Sequence, residues 1–333
     1  MATIYEVSNL AGVSLATVSR VINNNARVSD KTKQKVLDAM VQLGYRPNSI
    51  AQSLASNCSN SVGVLVSELN GAFFGQMMAG IEAELRAAGK HVIITTGHSD
   101  EEKEKEGIEF LISRNCDALI VHVEGLSDEY LIELTKGSTP IIFMSRFVET
   151  IENHCISLDN ELGGYLATKN LLEHGHKDIA YIAGPQVKPD AKARFTGHQK
   201  ALQEHGIAFD NTLYFEGDFC ETGGIDGLKY FLDNGVTFTS LVCANDEMAS
   251  GAMTYAREHG ISLPQDLSVI GFDNIIFSRH IYPKLTTIDN PVGEMGHMAA
   301  KLVLKNVYKK TDEDIQYSFE PTIIDRDSVS KIN

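Results

Sequence analysis

The sequence lacks the cysteine pattern of a disulfide-bonded or zinc-binding domain. Its five cysteines are odd in number, and no two of them have the CxxC spacing of metal ligands. They are scattered along 333 residues, at Cys58, Cys116, Cys155, Cys220 and Cys243. This usage indicates reduced thiols, as in a cytosol.

Apolar segments long enough to cross a membrane are also missing, and the N-terminus has no apolar core of a signal peptide. Hydrophobic residues still make up 43% of the chain, which is ample for a buried core, and the length favours two or three domains. We therefore expect a cytoplasmic protein and not an exported binding protein.

Short motifs of common enzyme classes are absent, since the sequence contains no GxGxxG, GxxxxGKS/T, GxSxG or HExxH. His174 and His176 form an HxH pair, but no neighbouring acid or cysteine completes a metal site. Two histidines at a helix end are explained by the helix dipole, which favours a cation there. We expect neither enzymatic activity nor a bound metal or cofactor.

Charge is distributed unevenly along the chain. Residues 1–60 contain six Lys or Arg side chains and three acids, whereas the whole chain has 29 basic and 44 acidic residues and a net charge of −15. Residues 61–333 therefore carry −18. A small basic head on an acidic body is typical of a nucleic-acid-binding protein, and repulsion between the body and phosphate requires the head to dock locally.

Residues 3–23 have the pattern of a DNA-reading helix-turn-helix. Thr3 and Glu6 have the spacing of a capping box for the first helix, Gly12 suits a tight turn, and Ser14 can cap the second helix. The apolar side of the second helix leaves the other faces to Leu15, Ala16, Thr17, Ser19 and Arg20. For this segment alone, a plain helical hairpin with a polar outer face is the alternative.

A third helix is predicted to begin at Ser29 and Asp30 and to end at Gly44. The core of the three-helix head is predicted to contain Val7, Leu10, Val18, Val21, Val36, Leu37 and Met40. Pro47 prevents the third helix from continuing. Residues 48–55 can form two helical turns, which are too short to be stable without a partner.

From residue 62 onward, buried strands alternate with helices. Strands are predicted at 62–67, 91–96, 118–123 and 140–144, and again at 179–184, 212–217, 240–245 and 267–272. Continuous apolar strands separated by helices indicate parallel sheets that are covered on both faces. The two series predict an α/β fold of two doubly wound lobes, with a ligand site in the cleft between them.

Together these features resemble the lactose/galactose repressor family of bacterial transcription regulators. The resemblance covers essentially the whole chain, in the segments AGVSLATVSRVIN, GYRPNSIAQSLA, DNELGGYLATKNLLEHGH, ARFTGHQKAL, ANDEMASGA and SVIGFDN. It implies a helix-turn-helix domain at 1–46, a hinge helix and linker at 47–57, and a periplasmic-binding-protein-like effector and dimerisation domain at 58–333. The amino-terminal lobe of that domain is expected at about 60–158 and 290–318, and the carboxy-terminal lobe at about 159–289 and 319–333.

The resemblance also assigns expected roles in DNA binding. Leu15, Ala16 and Arg20 match base-facing positions, although Arg20 could instead hold phosphate. The expected phosphate contacts are Thr3, Thr17, Ser19 and Asn23. Leu54 matches a leucine that the family inserts into the minor groove, and its alternative is packing at a domain junction.

A sugar needs aromatic faces and fixed polar groups in the cleft. Phe73, Phe74 and Phe219 lie near strand ends and can supply the aromatic faces, with core packing as the alternative for Phe74. By resemblance, the polar ligand-binding residues are Arg194, Asn245 and Asp273. Arg146 and Asp159 are weaker candidates, since either could form an ion pair between lobes. Asp246 is expected to cap the helix that follows it.

The resemblance implies a homodimer that places two heads on a pseudo-palindromic operator. The segments VINNN, CDALIVHVEG, CISLDN and RHIYPKLTTI are similar to those of galactose-responsive members, so D-galactose is the expected effector. Bound between the lobes, this sugar would change the lobe angle and release the DNA. Another sugar or a nucleobase corepressor is the alternative, and the sign of the coupling stays open. No leucine heptads follow Arg326, so a dimer is expected and not a tetramer. The rival classes are a pure sugar-binding protein and a DNA-binding protein with a catalytic body. The basic head disfavours the first class, and the absence of enzyme motifs disfavours the second.

Overall fold

The computed structural model describes residues 2–23, 28–46, 58–310 and 313–332. The chain divides into two compact units, Met1–Asn60 and Ser61–Asn333, which we call the head and the body. The predicted hinge at 47–57, including Leu54, lies outside the described residues.

The described residues of the head form three helices, α1 (Ile4–Ala11), α2 (Leu15–Ile22) and α3 (Asp30–Leu43). Their ends follow the sequence signals. Thr3 and Glu6 form the capping box of α1, and Ser14 and Ser29 cap α2 and α3 through their side chains. Gly12 and Gly44 adopt left-handed conformations, with φ of 64° and 61°, which glycine reaches without steric cost. The predicted helix-turn-helix and its third helix are confirmed.

Two residues predicted for the core of the head lie on its surface. Leu10 is 46% exposed and Leu37 is 39% exposed. In α1 the inward positions are taken by Val7 and Ala11, four residues apart, and in α3 Val36 and its neighbours one turn later point inward. Leu10 and Leu37 are each one residue out of step with these rows, and one residue is a rotation of about 100° on a helix. The apolar pattern therefore predicted a wider buried face on α1 and α3 than these helices have.

The body contains eight further α-helices and twelve strands among the described residues. The helices are α4 (Ala72–Ala87), α5 (Glu101–Ser113), α6 (Asp128–Thr135), α7 (Asn160–Glu173), α8 (Pro189–Glu204), α9 (Glu221–Asp233), α10 (Asp246–Glu258) and α11 (Val292–Asn306). The strands are β1 (Ser61–Val66), β2 (His91–Thr96), β3 (Ala118–Val121), β4 (Ile141–Met144), β5 (Cys155–Leu158), β6 (Ile179–Ala183), β7 (Tyr214–Glu216), β8 (Ser240–Cys243), β9 (Ser268–Asp273), β10 (Thr286–Asp289), β11 (Ser318–Phe319) and β12 (Thr322–Ile324).

The strands form two six-stranded sheets. The first sheet has the order β11-β5-β4-β3-β1-β2, and the second has the order β12-β10-β9-β8-β6-β7. The pairings are parallel except for β12, which runs antiparallel to β10. Helices α4, α5, α6 and α11 accompany the first sheet, and α7 to α10 accompany the second. We call these two layers of structure the first lobe and the second lobe. The predicted α/β fold of two doubly wound lobes is confirmed.

The chain crosses between the lobes three times. It leaves the first sheet after β5, returns from the second sheet after β10 to form α11, and leaves again between β11 and β12. Helix α11 packs on α4 of the first lobe, although more than 200 residues separate them in sequence. Among the described residues, no helix has both the length and the apolar character needed to span a membrane.

Candidate functional site

The second helix of the head presents the side chains that the sequence predicted to face DNA. Val18 and Val21 are buried against the other helices. The side chains left exposed or half-buried at the surface are Leu15, Ala16, Thr17, Ser19, Arg20 and Asn23. Ser14 fixes the start of this helix, because its Oγ accepts a hydrogen bond from the Thr17 N–H at 3.2 Å. A surface of small side chains with one arginine can approach base edges closely.

Thr3 stands at the start of α1 and is tied to Glu6. The Thr3 N–H donates to Glu6 Oε2 at 2.7 Å, and the Glu6 N–H donates to Thr3 Oγ1 at 3.3 Å. These hydrogen bonds, the one from the Thr3 backbone first, hold the pKa of Glu6 below its usual value. The first turn of α1 is therefore set by local contacts.

In the body, a cavity of about 190 Å³ lies between the lobes. Its wall includes Ser67 after β1, His122 after β3 and Ser145 after β4, and from the second lobe Asn245 after β8 and Asp273 at the end of β9. Side chains at the carboxyl ends of parallel strands thus meet there, where ligands bind in doubly wound sheets.

Aromatic rings line this cavity from both lobes. Phe73 and Phe74 at the start of α4 meet edge to face with ring centroids 5.2 Å apart, and Phe74 lies 5.3 Å from the ring of His122. Phe219, on the second lobe, has a positive φ of 67°. Its ring packs on Gly184, where a Cβ would lie 2.2 Å from Phe219 Cζ, so this close approach needs glycine. The predicted aromatic residues are brought together around one space.

Arg194 is the most connected polar group of the cavity and is only 4% exposed. Its Nε donates to Asn160 Oδ1 at 2.9 Å, and its Nη1 donates to the carbonyl of Ala244 at 2.6 Å. Its Nη2 lies 3.5 Å from Asp273 Oδ1, and the guanidinium carbon lies 3.7 Å from the centre of the Phe272 ring. The planar fork of arginine fits this set of partners, which a lysine could not satisfy.

The close packing of two helices fixes the position of Arg194. A Cβ on Gly164 of α7 would lie 1.9 Å from the Arg194 carbonyl oxygen, and one on Gly197 of α8 would lie 2.0 Å from the Glu161 carbonyl oxygen. Neither position has room for a side chain, so the two backbones touch. This contact between α7 and α8 therefore fixes the position from which Arg194 reaches the cavity.

Asp273 and Asn290 form the inner wall beside Arg194. Asn290 Nδ2 donates to Asp273 Oδ1 at 3.0 Å. Burial raises the pKa of Asp273, and Arg194 acts in the opposite sense. Asp273 also holds a positive φ of 101°, a strained conformation of the kind that accumulates at functional sites. Asn290 Oδ1 and Ser145 Oγ are buried at the wall with no hydrogen-bond partner among the described residues, so each offers a polar atom to a ligand.

The sequence assigned the cap of α10 to the wrong residue. Asn245, and not Asp246, is the cap, since its Oδ1 accepts from the Met248 N–H at 2.9 Å. Its Nδ2 donates to the carbonyl of Phe219 at 2.8 Å, which ties the aromatic wall to the helix. Asp246 is the first residue of the helix and points into the core, where it accepts from the Ile275 N–H at 2.9 Å and from Thr287 Oγ1 at 2.5 Å. The expectation that Asp246 is structural agrees with these contacts.

Arg146 and Asp159 lie outside this cavity. Arg146 pairs with Asp128 at 2.7 Å within the first lobe, so it does not join the lobes. Asp159 caps α7, accepting from the Leu162 N–H at 2.9 Å. Both line a neighbouring space of about 360 Å³, whose wall shares Ser145, Leu158, Asn160 and Asp190 with the cavity.

Several residues of the cavity wall had no place in the sequence prediction: Ser67, His122, Glu124, Ser145, Asn160, Lys188 and Asn290. The rule that polar residues after strands meet in the cleft would have found Ser145, which follows the strand predicted at 140–144, whereas His122 fell inside the strand predicted at 118–123. Lys188 precedes α8 and pairs with Glu124 across the cleft, a contact that depends on how the lobes meet.

The HxH pair is engaged within the protein. His174 ends α7 and its Nδ1 lies 2.7 Å from the carbonyl oxygen of Asn170. His176 is buried, with Nδ1 2.9 Å from Thr239 Oγ1 and Nε2 2.9 Å from the carbonyl oxygen of Ser330. Both nitrogens of His176 are therefore used to join parts of the second lobe.

Comparison with known proteins agrees with the fold and the head. Residues 3–48 match the family model of bacterial regulatory proteins, lacI family, and residues 168–329 match that of the periplasmic binding protein-like domain. The HTH-type transcriptional regulator GalR of Escherichia coli (strain K12) is 39% identical over 330 residues, which cover 99% of this chain and 96% of GalR. The HTH-type transcriptional repressor PurR of Glaesserella parasuis serovar 5 (strain SH0165) is 33% identical over 344 residues, covering all of both chains.

Among solved structures, the Lac repressor dimer bound to operator and the anti-inducer ONPF matches with a TM-score of 0.87 and 30% identity, covering 99% of each chain. A complex of the transcriptional regulator CelR with cellobiose matches with a TM-score of 0.71 and 29% identity over 98% of this chain and all of CelR.

The chain belongs to the LacI family of bacterial regulatory proteins. It is a DNA-binding transcriptional repressor of that family, and its relatives are transcriptional regulators and not enzymes.

Proposed function

We propose that this repressor is controlled by D-galactose, which binds between the lobes and releases a homodimer from a pseudo-palindromic operator. The cavity supports this proposal through its combination of aromatic faces with buried, fixed polar groups. Phe73, Phe74 and Phe219 offer ring faces to the C–H groups of a pyranose, while Arg194 and Asp273 offer a donor and an acceptor. A sugar with both kinds of surface gains from each.

The charge of the cavity supports an uncharged effector. Its wall carries six acids, Glu68, Glu124, Asp190, Asp218, Glu247 and Asp273, against the cations Lys188 and Arg194. Both cations are paired with wall carboxylates. A phosphorylated or carboxylated sugar would meet like charge without a free cation to compensate, which is costly in a buried site. The similarity to GalR over almost the whole chain supports galactose in particular.

The aromatic geometry supports a sugar over a nucleobase. A flat base prefers to stack between parallel rings. Phe73 and Phe74 instead stand at 83° to each other, so these two rings cannot enclose a flat base between parallel faces. The similarity to PurR makes a nucleobase the alternative that an experiment has to address.

An exposed apolar patch on the second lobe supports a dimer. Ile276 and Phe277 are each 46% exposed and Tyr282 is 79% exposed, within seven residues of one another in sequence. Contiguous exposed apolar side chains of this kind mark protein interfaces. The proposed dimer would place the two heads on two half-sites, with Leu15, Ala16 and Arg20 at base edges and Thr3, Thr17, Ser19 and Asn23 at phosphates.

The hinge at 47–57 completes the proposed mechanism by family resemblance. Its helices would order on the DNA, and Leu54 would enter the minor groove. The sugar can release the operator only if it binds one lobe arrangement better than the other. Residues 1–46 and 58–333 are the proposed DNA-binding and effector domains on either side.

The test is fluorescence anisotropy of a labelled palindromic duplex, selected from a randomised pool with the protein itself. We expect D-galactose to raise the operator Kd at least tenfold, whereas glucose, ribose and hypoxanthine leave it unchanged. Arg194→Lys should need a higher galactose concentration for the same release, and Arg86→Lys on the surface of α4 should behave like the wild type. Tighter operator binding with hypoxanthine would replace galactose by a corepressor, and indifference to every compound would refute the proposed effector while leaving DNA binding intact.

A further inference from the structure

One ion pair joins the two lobes across the cleft. Lys188 Nζ of the second lobe lies 2.8 Å from Glu124 Oε2 of the first lobe, and the two side chains are only 18% and 11% exposed. Every other ion pair among the described residues joins two residues of the same lobe. The pair is thus the charged contact that depends on the angle between the lobes.

The first lobe holds the Glu124 carboxylate from several sides. Ser67 Oγ donates to Glu124 Oε2 at 3.1 Å, and Ser99 Oγ donates to the same oxygen. Although burial disfavours the carboxylate, the charges of His122 and Lys188 lower the pKa of Glu124. The group is therefore a preformed acceptor for a cation from the other lobe.

Behind Glu124, a second carboxylate fixes the loop that carries it. Glu104 of α5 is fully buried, and its Oε1 accepts from the Glu124 N–H at 2.8 Å while its Oε2 accepts from the Gly125 N–H at 3.0 Å. A Cβ on Gly125 would lie 2.8 Å from the backbone nitrogen of Glu101, so the loop sits directly on the start of α5. A buried carboxylate is costly unless it is fully hydrogen-bonded, and here its bonds position the loop.

The second lobe supplies Lys188 from the start of a helix. Lys188 precedes Pro189 at the start of α8, the helix that carries Arg194. Its Nζ lies 3.2 Å from Ser99 Oγ of the first lobe in addition to Glu124. The ammonium group therefore finds its polar partners across the cleft.

Elsewhere along the cleft, acids of the two lobes lie near each other. Glu247 of the second lobe approaches Gly71 of the first so closely that a Cβ there would lie 3.1 Å from Glu247 Oε1. Burial, and then the charges of Asp273 and Glu68, raise the pKa of Glu247. Glu68 belongs to the first lobe, and its like charge opposes close approach of the lobes at this point, whereas the opposite charges of Glu124 and Lys188 favour it.

We propose that the Glu124–Lys188 ion pair is a clasp that holds the lobes together before any ligand enters, and that Glu104 is the residue that positions it. Because a ligand that touches both lobes binds only the closed arrangement, its apparent affinity is reduced by the fraction of molecules that are open. The clasp therefore sets both the resting lobe angle and the concentration of effector to which the repressor responds.

The first test measures the lobe angle without ligand, so its outcome is independent of the proposed galactose function. Spin labels are placed at exposed Lys136 of the first lobe and exposed Lys229 of the second, with Cys58 and Cys220 changed to serine, and the labelled chain is diluted with unlabelled chain. Double electron–electron resonance of full-length protein should show a broader, longer interlobe distance in Glu124→Gln and in Lys188→Met. Glu104→Gln should shift it in the same direction and to a smaller extent, since one acceptor oxygen remains.

Two comparisons make the test specific. Glu129→Gln and Lys192→Met remove the same charges from exposed positions of α6 and α8 and should leave the distance unchanged. The reversed pair, Glu124→Lys with Lys188→Glu, should restore part of the short distance that either single change loses. Unchanged distances in both single variants would overturn the clasp.

The second test measures D-galactose binding by calorimetry in the same variants. Each single change should weaken the affinity on the order of tenfold, and Glu124→Gln combined with Lys188→Met should weaken it no further than either alone. Additive losses would mean that the two side chains act on the ligand separately, which contradicts a clasp.

Discussion

At the scale of single residues, the least expected group is the carboxyl of Asp246. It is 1% exposed and lies beside Gly271, where a Cβ would come within 2.2 Å of its Oδ1. Burial raises its pKa well above 3.8, and Asp273 acts in the same direction, while the bonds from Thr287 and Ile275 oppose the rise. The folded protein thus holds this proton at pH values where the unfolded chain has released it.

We expect Asp246→Asn to flatten the dependence of stability on pH. A group whose pKa is raised by folding stabilises fully below its unfolded pKa, and this contribution is lost as the pH rises toward the folded pKa. Asparagine keeps an acceptor for the Ile275 N–H and does not titrate. As the pH rises from 4 to 8, the urea midpoint of the wild type should therefore fall relative to that of the variant. Parallel midpoints across this range would show that Asp246 is charged in the folded state.

Residue types after strands were predictable, but their partners were not. The family resemblance named Arg194, Asn245 and Asp273 as polar ligand-binding residues, and the structure brings all three to one cavity. The sequence could not distinguish Asn245 from Asp246 as the cap, since both residues favour that position. Arg146 was ambiguous for a related reason, because its partner Asp128 lies 18 residues earlier in a separate helix.

At the scale of secondary structure elements, three helix pairs of the body meet through glycines. In the pair α7 and α8 the contacts are those of Gly164 and Gly197, and in α9 and α10 a Cβ on Gly224 would lie 1.8 Å from the Met248 carbonyl oxygen. In α4 and α11 a Cβ on Gly80 would lie 2.1 Å from the Gly293 carbonyl oxygen. Glycine lowers helix propensity, so its use in these helices reflects the need for close backbone contact.

Gly164→Ala should destabilise the fold and weaken ligand binding together. The added methyl group would overlap the Arg194 carbonyl oxygen and push α8 away from α7. We expect a loss of about 1–3 kcal/mol in the free energy of unfolding, and more if the helices cannot separate. Urea denaturation and sugar calorimetry would measure the two effects. Gly75→Ala in α4 is the matched control, since a Cβ there meets nothing within 4 Å. It should be neutral or stabilising, and equal losses in both variants would contradict the packing argument.

Among the described residues, the strands in apolar runs followed from the sequence, and four others did not. Eight strands were predicted from apolar runs, and each is present with boundaries shifted by at most two residues. Strands β5, β10, β11 and β12 were missed. They have two to four residues each, and their existence depends on pairing with a neighbour and not on their own composition. In the head, periodicity located the helices but misplaced Leu10 and Leu37 by one step.

At the scale of the whole molecule, net charge distinguishes the head from the body. Residues 1–60 contain six basic side chains and three acids, whereas the chain as a whole carries −15. This distribution favours phosphate contacts by the basic head, because the acidic body is repelled by DNA. The proposed effector site, by contrast, is a cavity whose lysine and arginine side chains are already paired with carboxylates.

Salt should therefore affect DNA binding and leave sugar binding nearly unchanged. Operator affinity should fall on the order of a thousandfold between about 50 and 200 mM salt if a dimer makes several phosphate contacts. Arg20→Gln distinguishes the two possible roles of Arg20. If Arg20 contacts phosphate, the variant should lower the slope of log K against log salt by about 0.9 per head. If Arg20 contacts a base, the variant should relax sequence specificity instead. Anisotropy across a salt series measures both. A sugar affinity that follows salt as steeply as operator affinity would contradict this separation of the two sites.

The three crossings between the lobes also determine the order in which a newly made chain can fold. Strand β11 completes the first sheet and helix α11 covers α4, yet both are translated only after β6 to β10 of the second lobe. On the ribosome, the first lobe must wait with an unfinished sheet edge while its neighbour is being synthesised. The first lobe is thus begun first but cannot be completed until most of the second lobe has been synthesised, and neither lobe corresponds to a single stretch of message.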